Sequence, residues 1–178
     1  IEHAKSARRG SAPGLHGRLM LDPERPRVHC IEAGREIDLG GIGKGFALDQ
    51  MKGLLLDWGI GSALLSAGSS THLAFGPRAW SLSLTGERQT FPFELREAAL
   101  SASGTGIQGS HILAPDGSKP TYYAARVWIS TPIAAMADAW STAAMLMEKD
   151  DFKELLPPGI LYMIESKNGL TGNFPGLT

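Results

Sequence analysis

The sequence has little of what marks a disulfide-rich, membrane-spanning or nucleic-acid-binding protein. Cys30 is the only cysteine among 178 residues, which excludes an intramolecular disulfide and a multi-cysteine zinc site. No run of about 18 apolar residues occurs, so the sequence predicts no membrane-spanning helix. The formal net charge is −1, and this balance gives no reason to expect binding to nucleic acid or an anionic membrane. An anionic ligand would therefore have to be held by a local site.

What is present is typical of a globular protein, with 43% hydrophobic and 20% charged residues. Residues 1–26 are rich in Gly, Pro, Arg and Ser and are predicted to be irregular, whereas 27–178 are predicted to form a single domain. The chain begins without Met and without the apolar stretch of a signal peptide. We therefore expect a processed or truncated chain, whose compartment the sequence leaves open.

Periodicity predicts an α+β fold with a mixed or antiparallel sheet and two main helices. The first helix follows a glycine cluster, runs from Phe46 to Trp58, and ends at Gly59. The second begins with Thr131 as N-cap and Pro132 at the first helical position, and runs to about Glu148. Predicted strands cover 28–31 paired with 37–39, and then 62–67, 80–84, 122–130 and 160–164, and residues 95–103 lead into a second Gly/Ser-rich turn.

The segment Ile37–Gly45 takes the chain from a predicted strand through a glycine turn into the first helix. Such a turn lets a ligand approach the backbone, and a helix N-terminus offers N–H groups to phosphate. Lys44 adds a positive charge there. The spacing matches neither a P-loop nor a dinucleotide-binding motif. Phosphate binding and a tight turn with an exposed lysine both remain open from these residues alone.

Asp138 and Thr142 are four residues apart and so share one face of the second helix. The residues between them are mostly small, which leaves space beside a carboxylate and a hydroxyl. These oxygens suit Mg²⁺, which binds a few hard ligands together with phosphates. The alternative is a solvent-facing Asp with a Thr that bonds back to a helix carbonyl.

A third candidate segment is the turn Ser101–Gly104, followed by His111. His111 lies among turn-forming residues, where an imidazole can be exposed and can exchange protons near neutral pH. The alternative is an ordinary surface histidine.

Four segments, in order along residues 27–165, resemble the motifs of the ApbE family of FAD:protein FMN transferases. Asp38–Asp49 is similar to the family's D-L-G-G-I-A-K-G-Y-A-V-D, and Ser66–Ser70 to its N-A-G-G-D. Ser101–Gly104 with His111–Pro115 resembles its S-G turn and H-I-L-D-P motif, and Ala137–Ala143 its A-D-A-L-A-T-A helix. The resemblance implies a T-fold-type core.

The resemblance also implies Mg²⁺, FAD and a flavin-acceptor protein that receives FMN on a Thr or Ser. Asp138 and Thr142 would be side-chain ligands of the metal, with the Gly41 carbonyl as a third ligand. Gly43 and Lys44 would contact the phosphates. A bacterial periplasmic or membrane-attached location is what the family implies.

Two further segments receive roles from the same resemblance. Ser103 and Gly104 would lie beside the flavin nucleotide. His111 would assist proton transfer at the attacking hydroxyl.

Two positions depart from the family pattern, because Ala114 replaces the aspartate of H-I-L-D-P and Ser70 stands where the N-A-G-G-D aspartate belongs. The family also has an N-terminal portion that is not found in this sequence. We therefore expect exposed apolar surface, compatible with a homodimer. Three alternatives stay open: a FAD pyrophosphatase, a non-catalytic flavin- or nucleotide-binding relative, and an unrelated α+β domain.

Overall fold

The computed structural model describes residues 17–34, 37–105 and 124–175. The chain divides into two compact units. One contains residues 1–38 and 113–120, and the other contains residues 39–112 and 121–178.

The described part of the first unit is an antiparallel hairpin of β1 (Arg18–Leu21) and β2 (Val28–Glu32). The predicted pairing of residues 28–31 with 37–39 is wrong, because β2 pairs with β1 upstream and residues 37–39 form no strand. The hairpin thus crosses the boundary predicted at residue 27, inside a stretch whose Gly and Pro content had suggested a loop. The division into domains stays a prediction.

The second unit is built on a six-stranded antiparallel sheet of order β10-β9-β8-β7-β4-β3. Its strands are β3 (Ala63–Ala67), β4 (Thr71–Phe75), β7 (Ala99–Gly104), β8 (Ala124–Thr131), β9 (Leu161–Ser166) and β10 (Gly169–Gly172). A separate antiparallel hairpin consists of β5 (Trp80–Thr85) and β6 (Thr90–Leu95).

The described residues of this unit contain three helices: α1 (Gly43–Asp57), α2 (Ala134–Ala144) and α3 (Lys149–Leu155). Gly59, with φ +80°, follows α1 in the left-handed conformation expected of a C-terminal glycine. The second predicted helix is shorter than expected, because α2 ends at Ala144 and not near Glu148, and a turn separates it from α3, which was not predicted.

The six-stranded sheet is covered on both faces. A helix-side core joins the three helices to one face, through Leu48, Leu73, Val127, Ala137 and Phe152 among others. A hairpin-side core joins β5–β6 to the opposite face, through Leu84, Leu95, Leu100, Trp128 and Met163 among others. Neighbouring residues of one strand belong to different cores, as the alternation of side chains along a strand requires. The predicted α+β class with an antiparallel sheet is confirmed.

The N-terminus of α2 is capped by a carboxylate from another helix. Asp49 of α1 accepts the backbone N–H of Ala134 on Oδ1, at 2.9 Å, and that of Ala135 on Oδ2, at 2.8 Å. The predicted N-cap Thr131 lies outside the helix, where its hydroxyl accepts the Ile133 N–H. Sequence reasoning looked for the cap next to the helix in the chain, and the structure supplies it from 85 residues away.

Asp49→Ala is expected to lower the free energy of unfolding by about 1–2 kcal/mol, because two N–H groups lose their acceptor and the helix dipole loses a compensating charge. Urea denaturation measures the change. Asp57→Ala, at the exposed C-terminal end of α1, is the matched control and should stay within about 0.5 kcal/mol of the wild type. Equal effects of the two substitutions would contradict the capping role.

The outer face of α1 and its flanking residues expose several large apolar side chains, as expected from the sequence. Phe46 is 57% exposed and Trp58 is 70% exposed. Leu48, by contrast, is buried in the helix-side core. In the part of the chain that the structure describes, no helix has the length and hydropathy needed to cross a bilayer.

Candidate active site

The glycine turn leads into α1 directly beside the start of α2. The Ile42 and Gly43 N–H groups both donate to the Leu39 carbonyl, which closes the turn. Gly45 is buried, and a Cβ at this position would lie 2.7 Å from Ala135 Cα and against the Ala134 carbonyl. Only glycine therefore lets the two helix N-terminal segments come this close.

Asp138, on α2, is the centre of a buried polar cluster and is 1% exposed. Its Oδ1 accepts hydrogen bonds from the hydroxyls of Thr71 (3.1 Å) and Ser101 (3.2 Å). The Lys44 ammonium lies 2.9 Å from the same oxygen. Oδ2 accepts the Gly45 N–H at 3.1 Å. These partners come from β4, β7 and the first turn of α1, so the carboxylate joins the sheet to both helices. The alternative of a solvent-facing Asp is therefore wrong, whereas its other part, a Thr142 hydroxyl that bonds back to a helix carbonyl, is found.

The predicted ligand residues Gly41 and Thr142 also lie next to each other. A Cβ built on Gly41 would be 3.2 Å from Thr142 Cγ2 and 3.5 Å from its Oγ1. The Thr142 hydroxyl donates to the Asp138 carbonyl at 3.2 Å, one helical turn earlier. The glycine turn thus packs on the face of α2 that carries Asp138 and Thr142, and the three predicted ligands lie in one region.

The hydrogen bonds at the glycine turn limit which groups there could bind a phosphate. The Gly43 and Gly45 N–H groups donate to acceptors inside the protein. Lys44 Nζ donates to the Gly40 carbonyl at 3.3 Å, and its side chain is 39% exposed. An incoming anion at this position would therefore be met chiefly by the lysine ammonium.

A set of hydroxyl groups connects Asp138 with Thr142. The Ser103 hydroxyl lies 2.9 Å from Ser141 Oγ and 3.3 Å from Thr142 Oγ1. Ser141 donates towards Ser101 Oγ at 3.2 Å. We call the five side chains that form this chain the hydroxyl network: Thr71, Ser101, Ser103, Ser141 and Thr142.

Two predicted site residues remain, Gly104, which lies near the hydroxyl network, and His111. Gly104 ends β7 next to Ser103, and a Cβ on it would meet the Ala125 carbonyl of β8 at 2.8 Å. His111 lies outside the described residues. Its role and its distance from Asp138 stay predictions.

The segment that resembles N-A-G-G-D forms the turn between β3 and β4, with Gly68 at φ +64°. It delivers Thr71 to Asp138. The next residue, His72, points to the other face of the sheet and pairs with Ser66 at 2.8 Å. Burial lowers the pKa of His72, and a hydrogen bond with the Ser69 backbone acts in the opposite direction. His72 is therefore separate from the Asp138 cluster.

Sequence reasoning assigned no role to Thr71, Ser101 or Ser141, although Ser101 opens one candidate segment and Ser141 lies within Ala137–Ala143. Their contacts with Asp138 and with one another become visible only once the strand order is known. Within the described ranges, no group of three His, Cys, Asp or Glu side chains is placed to hold a metal. The polar cluster at Asp138 combines one carboxylate with hydroxyls and backbone oxygens.

The ApbE family model matches residues 4–163, which is most of the sequence. The chain belongs to the ApbE family. No curated protein matches the sequence.

Solved ApbE structures have the same fold as this family member. The ApbE protein of Thermotoga maritima is 26% identical with a TM-score of 0.72, and the alignment covers 88% of this chain and 57% of that one. The apo flavinyl transferase ApbE of Pseudomonas stutzeri is 22% identical with a TM-score of 0.70, covering 87% and 52%. The flavin transferase ApbE of Vibrio cholerae is 17% identical with a TM-score of 0.71, covering 87% and 55%. The chain thus spans about half the length of these ApbE proteins.

Proposed function

We propose that this ApbE-family chain provides the metal- and pyrophosphate-binding part of a Mg²⁺-dependent FAD:protein FMN transferase. One observation carries the proposal. The glycine turn and the first turn of α1 lie against the face of α2 that bears Asp138 and Thr142. A buried carboxylate, a hydroxyl, a glycine backbone and a lysine ammonium are thereby brought together.

The residues at this position fit a hard divalent cation. Asp138 and Thr142 would hold Mg²⁺ through their side-chain oxygens, and Gly41 through its carbonyl oxygen, a donor set of the kind that Mg²⁺ prefers. The contact of the Lys44 ammonium with Asp138 supports this fit, since positive charge is already stabilised there. When bound, Mg²⁺ would neutralise charge on the FAD pyrophosphate and stabilise the departing AMP.

Lys44 would change partner when FAD binds. Its ammonium bridges Asp138 Oδ1 and the Gly40 carbonyl, and its flexible stem is partly exposed. A lysine acts as a compact point charge on such a stem, so it can turn from the carboxylate to a phosphate oxygen. Gly43, beside it, would leave room for the phosphate at the helix start. Ser103 and Gly104, at the end of β7, would lie beside the flavin nucleotide.

The transfer itself would be a displacement at phosphorus. A Thr or Ser hydroxyl oxygen of the acceptor protein forms a bond to the phosphorus on the FMN side, the bond to the bridging oxygen breaks, and AMP leaves. The proton of the attacking hydroxyl passes to His111, acting as general base. The products are FMN in phosphoester linkage to the acceptor and AMP.

Incubation of the full chain with FAD, with and without Mg²⁺, tests the proposal. Chromatography follows AMP and free FMN, and gel fluorescence follows flavin bound to an added acceptor protein. Transfer predicts AMP in step with labelled acceptor, and no AMP after EDTA is added. AMP and free FMN without labelled acceptor would instead indicate a FAD pyrophosphatase. FAD binding with no AMP under any condition would indicate a non-catalytic flavin-binding relative.

His111→Ala is expected to slow flavin transfer by about 10²–10⁴-fold, the usual contribution of general base catalysis. The rate should be measured from pH 5 to 9, since loss of the base removes the acidic limb of the profile. His29→Ala, on β2, is the control and should leave the profile unchanged. An unaltered rate in His111→Ala would remove His111 from the mechanism, while the proposed metal site would be unaffected.

A further inference from the structure

Two fully buried hydroxyl residues of the sheet reach the Asp138 carboxylate, and neither has a role in the resemblance to the family. Thr71 of β4 and Ser101 of β7 are register partners, and both are 0% exposed. Their oxygens are 3.1 Å apart, and each donates to Asp138 Oδ1. Their strand neighbours on the same face, Leu73 and Ala99, belong to the helix-side core. Two hydroxyls in such apolar surroundings carry a desolvation cost unless they are hydrogen-bonded.

The two hydroxyls also make the two oxygens of the Asp138 carboxylate different from each other. Oδ1 accepts both of them and contacts Lys44. Among the described residues, Oδ2 accepts a single hydrogen bond, from the Gly45 N–H at the start of α1. The carboxylate is therefore held at Oδ1 by the sheet, and Oδ2 is turned towards the helix that follows the glycine turn.

Each hydroxyl has one proton to donate, and this limits which members of the hydroxyl network can donate to which. An ionised carboxylate has no proton, so Ser101 uses its only proton on Asp138 and can act only as an acceptor towards Ser141. The single Ser141 proton has two acceptors, Ser101 Oγ at 3.2 Å and the Asp138 carbonyl at 3.0 Å. Ser141 in turn can accept from Ser103. Thr142 then has two acceptors for its own proton, Ser103 Oγ and the Asp138 carbonyl. A Thr142 hydroxyl whose proton points to such an acceptor has a lone pair available for a cation.

From these contacts we infer that Thr71 and Ser101 are positioning residues of the cation site. They hold the Asp138 carboxylate through Oδ1, and Ser101 also contacts Ser141 of the hydroxyl network that ends at Thr142. The inference rests on the proposed function, because it takes Asp138 and Thr142 as metal ligands. Partners that hold metal ligands in this way typically change metal affinity by about 10–100-fold when they are removed.

The test is titration of the full chain with MgCl₂ alone, by calorimetry, for the isosteric variant Thr71→Val and for Ser101→Ala. Each is expected to bind Mg²⁺ about 10–100-fold more weakly than the wild type. Thr71→Ser keeps the hydroxyl and should restore affinity close to the wild-type value. Ser130→Ala is the matched control, since Ser130 is also buried but pairs with Leu100 on the hairpin side of the sheet. Its Mg²⁺ affinity should not change.

A second readout separates positioning from a merely structural role. In FAD turnover, Thr71→Val should raise the Mg²⁺ concentration for half-maximal rate while the rate at saturating Mg²⁺ falls much less. Equal Mg²⁺ affinity in the wild type, Thr71→Val and Ser101→Ala would overturn the inference, as would wild type that binds no Mg²⁺. Wild type that binds Mg²⁺ but leaves FAD intact would defeat the proposed function alone, and the calorimetric comparison would still decide the inference. If Thr71→Val does not fold, the Mg²⁺ affinities of Ser101→Ala and Thr71→Ser are compared with that of the wild type instead.

Discussion

Asp138→Asn is expected to reduce Mg²⁺-dependent FAD turnover by about 10²–10³-fold, equivalent to about 3–4 kcal/mol of transition-state stabilisation. The amide keeps the shape of the carboxylate but removes the negative charge that would hold the metal. It also places a donor, Nδ2, where the carboxylate accepts the Gly45 N–H or the Lys44 ammonium. Initial rates of AMP release, measured over a Mg²⁺ series, give the size of the loss. Calorimetry should show the loss of Mg²⁺ binding as well.

Asparagine is preferred to alanine here because of the burial of this side chain. Alanine would leave the donors at Thr71, Ser101 and Gly45 without an acceptor, at about 1–3 kcal/mol for each buried group. Loss of activity could then reflect unfolding. Circular dichroism of Asp138→Asn controls for this, and the surface variant Asp57→Asn should keep full turnover. If Asp138→Asn turns over FAD as fast as the wild type, Asp138 is not a metal ligand.

Gly45→Ala is expected to destabilise the fold by about 3–5 kcal/mol, among the largest effects available to a single methyl group. The new Cβ would lie 2.7 Å from Ala135 Cα and against the Ala134 carbonyl, and these are backbone atoms that cannot rotate away. Helices α1 and α2 would have to separate. The Gly45 N–H would then lose Asp138, so Mg²⁺ binding should fall together with stability. Urea denaturation and calorimetry measure the two effects.

Gly53 is a matched control on the same helix. It lies in the interior of α1, and a Cβ there meets no atom within 4 Å. Gly53→Ala should therefore raise stability by about 0.5–1 kcal/mol through the better helix propensity of alanine. Should the two substitutions change stability equally, the close approach of α1 and α2 at Gly45 would be refuted.

The elements that the sequence predicts well are those with a local signal. Trp80, Leu82 and Leu84 alternate with polar residues and predict β5, and the glycine cluster marks the start of α1. Strand β4 was not predicted, because four of its five residues are buried and it has no alternation. Strand β6 contains Pro92, which usually argues against a strand but is tolerated in a two-stranded hairpin.

The candidate site likewise has one part that a local sequence signal predicts and another part that it does not. The spacing of Asp138 and Thr142 is enough to place both on one helix face, and the structure keeps them there. The contacts of Asp138 with Thr71, Ser101 and Lys44 span 67, 37 and 94 residues, so they depend on the order of strands in the sheet. No local pattern encodes that order. The cap that Asp49 provides for α2 was missed for the same physical reason.

Asp138 and the groups that surround its carboxylate come from four separate parts of the chain, α1, β4, β7 and α2, and converge only through the sheet and the two helices. An unfolded chain would hold them far apart and would have almost no affinity for the cation. By mass action, a ligand that binds the native state alone shifts the unfolding equilibrium, by about 2.7 kcal/mol at one hundred times its dissociation constant. With Mg²⁺ at the proposed site, the melting temperature would therefore follow the concentration of free Mg²⁺, and thermal unfolding could rank candidate ligands without an acceptor protein.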